Sequence, residues 1–188
     1  MNKILYAFAL AGVLGLSSCS DFLDQNSPSE MTAENTYASP YYTNLRVNKL
    51  YGGMAQDRTY AQDLSIVWNL NSDCELIDGL GSNATNTSSE RGNMNYNMDP
   101  GWSKISGVWD AEYGIIEDAN QIIEGIRSSA TLTAGGANQK SMERSLGEAL
   151  TIRAMVYFDL VRIFGDIPFK VEASKSDLSN AYLEKTDR

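Results

Sequence analysis

Five side chains near the middle of the sequence have the chemistry to hold a sugar without breaking it: Asn93, Asn95, Tyr96, Asp99 and Trp102. Glycan capture needs a flat aromatic face against the apolar side of a sugar ring. It also needs amides and carboxylates placed to bond the hydroxyls. Tyr96 and Trp102 stand in polar surroundings, where a large aromatic has less reason to enter a core; packing beneath a long loop is the competing reading. Trp68 sits among Leu64, Ile66, Val67 and Leu70 and reads mainly as core. Asp73, Glu75 and Asp78 form a small carboxylate cluster. Paired carboxylates can hydrolyse a glycosidic bond or hold calcium. The acid–glycine–distal glutamate spacing of a calcium loop is absent, and solvated loop acids are the plainer expectation. The chain contains no histidine. That removes the commonest metal ligand and general base, and with it histidine-dependent triads and zinc sites. No catalytic residue, metal or cofactor is expected.

The N-terminus bears on location. Lys3 precedes an apolar run from Ile4 to Leu16, which is short for a membrane span and suited to a signal peptide. Leu16-Ser17-Ser18-Cys19 follows, and this ending resembles a bacterial lipobox. The resemblance implies cleavage after residue 18 and lipidation of the Cys19 thiol. Buried acyl chains contribute roughly 0.8 kcal/mol per methylene, so a multiply acylated cysteine anchors a protein durably. Cys74 is the only other cysteine and would then lack an intramolecular disulfide partner. The net charge of −9 argues against nucleic acid and against electrostatic adhesion to anionic lipid. An acidic body on a lipid tether is the expectation.

The elements that must position any site read as helices. Residues 19–40 form a polar lead-in or tether, and Tyr41 to Met54 a short amphipathic helix weakened at Gly52-Gly53. Leu64 to Leu70 is compatible with either a strand or a helical turn. Gly79 to Pro100 has loop composition. From Val108 to Arg127 the stripe of Trp109, Tyr113, Ile116, Ile123 and Ile126 predicts a helix. After a loop over 128–140, a second long helix is expected from Gly147 to Phe164, apolar on nearly every face and therefore inner. Gly165 supplies its C-terminal stop and Pro168 forbids resumption. The two helices read as an antiparallel hairpin with more apolar surface than the pair can cover. Arg153 and Asp159 are charges within that surface, expected in a structural ion pair or a helix-terminus contact. Asn120 is expected to bond a neighbouring backbone.

Three separated motifs then resemble one family. Cys19-Ser-Asp-Phe-Leu-Asp24 looks like the start of mature SusD/RagB lipoproteins of Bacteroidota. Trp109, Tyr113 and Asn120 match the spacing of that family's W-x3-Y-x6-N helix, and Glu148, Arg153-Ala154, Tyr157, Phe164-Gly165 and Pro168 its E-x4-R-A-x2-Y-x6-F-G-x-x-P motif. The resemblance implies a mainly all-α fold of tetratricopeptide-like helical hairpins with long loops. Residues 41–188 would be the N-terminal part of such a domain, since members are typically much longer. It further implies a non-enzymatic lipoprotein of the outer membrane, exposed at the surface, that passes glycans to a SusC-like TonB-dependent transporter. Peptides or other nutrients are the alternative cargo, and a glycoside hydrolase using Asp73, Glu75 and Asp78 is a rival of another class.

Overall fold

The computed structural model describes residues 31–69, 72, 101–175, 179 and 182–186. Among them are five α-helices: α1 (Ala33–Ala38), α2 (Pro40–Met54), α3 (Asp63–Asn69), α4 (Ser103–Ser128) and α5 (Gly136–Phe164). A 3-10 turn over Ala130–Thr133 joins α4 to α5, and two short strands follow, β1 (Ile167–Pro168) and β2 (Lys185–Thr186). The strands pair antiparallel, Ile167 opposite Thr186 and Pro168 opposite Lys185. The fold is thus mainly α, as the sequence predicts.

The α4–α5 hairpin is the centre. On α4, Val108, Ile115, Ile116, Ala119, Ile122, Ile123 and Ile126 recur at steps of three and four and are buried. On α5 the buried stripe is Met142, Ser145, Ala149, Ile152, Val156 and Leu160. Contacts across the pair run in opposite chain directions: Trp109 against Phe164, Tyr113 against Tyr157, Asn120 against Arg153. The helices are therefore antiparallel. Residues such as Leu160, Val156 and Ile126 have no exposed surface, and each fully buried aliphatic side chain contributes roughly 1.5–3 kcal/mol. Helix α2 lays Val47 and Leu50 on the same cluster. It runs antiparallel to α4, with Lys49 and Arg46 reaching Asp118 and Gln121.

Several boundaries differ from the sequence expectation. Helix α5 begins at Gly136, within the expected loop and well before Gly147. Its early turns are polar and show no apolar stripe, but they bond along the helix, Gln139 to Glu143 at 2.7 Å and Arg144 to Glu148 at 2.8 Å. Gly135, at φ 80°, precedes them. Gly165, at φ 76°, closes the helix with its amide on the Val161 carbonyl, as expected. Helix α5 is also not inner on every side, because Met155 and Phe158 are exposed. The 64–70 ambiguity resolves as helix α3 through Asn69. The lead-in contains α1, whose Tyr37 is buried in the main cluster.

Tyr37 explains one glycine. A Cβ on Gly125 of α4 would lie 2.2 Å from Tyr37 ring carbons. Alanine there would gain up to about 1 kcal/mol in helix propensity, yet it would force a buried ring out of place at a typical cost of about 1–3 kcal/mol. Gly125→Ala is therefore expected to lower the denaturation midpoint. In a Tyr37→Ala background the same change should be neutral or stabilising, which urea titration of the two single variants and the double variant checks.

Candidate functional site

The expected ligand residues divide sharply. Asn93, Asn95, Tyr96 and Asp99 lie outside the described residues, as do Cys19, Cys74, Asp73, Glu75 and Asp78. Trp102 is described. It immediately precedes α4 with an extended backbone and is only 8% exposed. It packs in a second, smaller cluster with Leu64 and Val67 of α3 and Val108 of α4. Lys104 and Asp63 tie the same two helices by a salt bridge of 2.8 Å. Trp102 therefore presents little ring face to solvent.

The signature residues of α4 and α5 form a strap-holder. Tyr113 donates its hydroxyl to the Pro168 carbonyl at 2.8 Å. The Tyr157 hydroxyl accepts the Lys170 amide at 2.7 Å and donates to the Lys170 carbonyl at 2.6 Å. The Asn120 amide donates to the carbonyls of Lys170 and Glu172, both at 3.1 Å, the backbone contact expected of it. Arg153 donates to Asn120 Oδ1 at 2.7 Å and to the Val171 carbonyl at 3.1 Å. These side chains satisfy backbone groups of the segment after β1 in place. The expected ion pair is replaced by neutral acceptors for Arg153 and by a tyrosine for Asp159. Arg153 and Asp159 are six residues apart on α5, and each meets a different neighbouring segment.

Asp159 belongs to a buried acid pair that the sequence reading did not single out. Glu112 of α4 is fully buried, and neither of its carboxylate oxygens has a hydrogen-bond partner among the described residues. Asp159 of α5 is 5% exposed, and the Tyr60 hydroxyl donates to its Oδ2. Burial first, and the neighbouring Asp159 charge second, push Glu112 up to about 8. Burial also raises Asp159, with the Tyr60 hydrogen bond and the Arg162 charge opposing it. Glu112 is thus protonated at neutral pH. Neighbouring acids can serve acid–base chemistry, but a fully buried Glu112 is closed to any saccharide. The clue to Glu112 was its register: it stands four residues after Val108 and three before Ile115, on the apolar stripe.

On the opposite side of α5 lies an open aromatic and cationic face. Phe158 is 62% exposed, and Arg162 follows one turn later. The Arg162 guanidinium lies over the Phe158 ring at 5.3 Å from its centroid and over the half-buried Trp68 ring at 5.1 Å. Tyr60 meets Trp68 edge to face, with ring centroids 6.1 Å apart. Trp68 Nε1 has no acceptor among the described residues. The flat ring of Phe158 and the donor-rich edge of Arg162 are the groups that sugar rings and their substituents require. Trp68 thus belongs to this face as well as to the smaller cluster. Among the described residues no group of three or more acids and cysteines is placed to hold a metal.

The buried acid pair gives a pH prediction. The Glu112 carboxyl is raised in the folded protein from 4.5 to about 8, so its stabilising protonation is complete below 4.5 and is lost as pH rises toward 8. Glu112→Gln keeps the shape and removes the ionisation. Its melting temperature relative to the parent protein should rise between pH 5 and about pH 8 and level off above that, by an amount worth a few kcal/mol. Parallel melting curves across that range would mean that Glu112 titrates normally.

Comparison with known proteins places these features in a family. Residues 21–188 match a SusD-like family model described as starch-binding associating with outer membrane. SusD-like protein P2 of Formosa agariphila is 29% identical over 180 residues, 95% of this chain and 33% of that protein. SusD-like protein P25 of the same organism is 23% identical, over 91% of this chain and 31% of its own length. The chain thus spans about a third of the length of these curated relatives. In fold it is similar to the crystal structure of a SusD homolog from Bacteroides thetaiotaomicron, with a TM-score of 0.70 and 24% identity, over 82% of this chain and 28% of that one. With the match extending over nearly all of the sequence, this chain belongs to the SusD-like family.

Proposed function

We propose that the protein is a non-enzymatic, lipid-anchored lipoprotein of the outer membrane that captures glycan nutrients at the cell surface and passes them to a SusC-like TonB-dependent transporter. The observation that carries this reading is the family match over residues 21–188. Two structural features support it. The exposed Phe158 ring with Arg162 and Trp68 beside it offers stacking and donor groups without a nucleophile. Among the described residues, the neighbouring carboxylates Glu112 and Asp159 are buried between α4 and α5. Cys19 is the anchor in this reading. Asn93, Asn95, Tyr96 and Asp99 are the further ligand contacts proposed.

Affinity electrophoresis through gels containing starch and a panel of other polysaccharides tests the proposal. Migration should be retarded by at least one polysaccharide, with no release of reducing sugar. Phe158→Ala should weaken retardation roughly tenfold, about the 1.4 kcal/mol expected of a stacked ring. Trp102→Ala should act mainly through stability. Retardation by none of the polysaccharides, with binding of peptides instead, would redirect the proposal to peptide cargo.

A further inference from the structure

We propose that the face formed by Trp68, Phe158 and Arg162 is a subsite for an acidic sugar, one bearing a carboxylate or a sulfate ester. This rests on the glycan-binding reading above and narrows its ligand class. Two observations lead to it.

Arg162 is exposed and forms no salt bridge with a described residue, although the chain carries an excess of acids, with a net charge of −9. Its guanidinium instead lies over two aromatic rings, Trp68 from α3 and Phe158 from α5. Stacking of this kind fixes the plane of the group. It leaves the N–H edge as a fork of donors matched to a two-oxygen acceptor. The cost of ordering a long side chain is thereby met before the ligand arrives. Asp159, whose charge acts on Arg162, is buried and already accepts the Tyr60 hydroxyl. It tempers the cation without occupying its outer edge.

The second observation is Phe158 itself. A phenyl ring 62% exposed, four residues before Arg162 on the same helix face, is costly to leave in water. It lies where the apolar side of a sugar ring would stack while an acidic substituent reached Arg162. The half-buried Trp68 ring backs this platform: its Nε1 atom is itself buried, and its contribution is the ring face on which Arg162 rests. An aromatic platform and a fixed fork of positive donors select for an acidic saccharide over a neutral one. Contact at this short range is needed, since the net charge of −9 gives no long-range attraction to polyanions.

Calorimetric titration of the purified protein with three oligosaccharides of equal length tests this: an oligogalacturonate, a sulfated galactan and a neutral maltooligosaccharide. At least one acidic ligand should bind tenfold or more tightly than the neutral one, and the tighter of the two identifies the oxyanion. Arg162→Gln should abolish that preference, and Arg162→Lys should recover only part of it, because an ammonium keeps the charge without the planar fork. Arg162 is exposed, and unchanged melting temperatures of both variants would confirm intact folding. Equal affinity for neutral and acidic ligands, or an unchanged preference in Arg162→Gln, would overturn the subsite while leaving glycan capture standing. Binding of none of the three oligosaccharides, nor of any other polysaccharide, would remove both.

Discussion

The rest of the structure depends on the burial of one seam, the apolar interface between α4 and α5. Isoleucines on one helix and Ala149, Ile152, Val156 and Leu160 on the other exclude water along its length. That exclusion sets the terms for every polar group near it. A polar atom inside the seam must find a partner or shed its charge. Glu112 has no hydrogen-bond partner among the described residues and keeps its proton; Asp159 takes the Tyr60 hydroxyl. At the margin, Asn120, Tyr113 and Tyr157 turn the same constraint outward and hold the backbone that follows β1. The most recognisable sequence motif of the chain is therefore a device for fixing a strap to a helical hairpin.

Seen this way, the division of labour between residues becomes physical. Side chains that face the seam define the fold, and α5 exposes large apolar groups on the stripe turned away from it. Met155, Phe158 and Arg162 fall on that stripe, and α3 brings Trp68 up beside it. The rigid helices hold Phe158 and Arg162 in a fixed relation, so stacking and hydrogen bonding there cost little ordering.

Much of the fold was legible in the sequence because helix periodicity survives in any context. The α4 stripe, the Gly165 stop and the backbone role of Asn120 all followed from spacing and residue type. The start of α5 was not, since its first turns are polar and are held by bonds along the helix, which leave no apolar signature. Leu64 to Leu70 was ambiguous because so short an apolar run fits either period. The site was harder to read. Phe158 and Arg162 were hidden inside a helix that looked apolar all round, and only the packing shows which stripe is open. Glu112 gave a signal, an acid on a buried register, that periodicity alone could have raised. Of the residues chosen for their loop setting, Trp102 packs inward against α3, and the others lie beyond the described chain.

The indole protons of the three tryptophans offer the most direct measurement. In a two-dimensional nitrogen–proton NMR titration with a bound oligosaccharide, the Trp68 Nε1 resonance should shift in step with occupancy. Those of Trp102 and Trp109, packed against the two clusters, should stay nearly still. Shifts at Trp102 or Trp109 with Trp68 unmoved would contradict the account and place the ligand elsewhere.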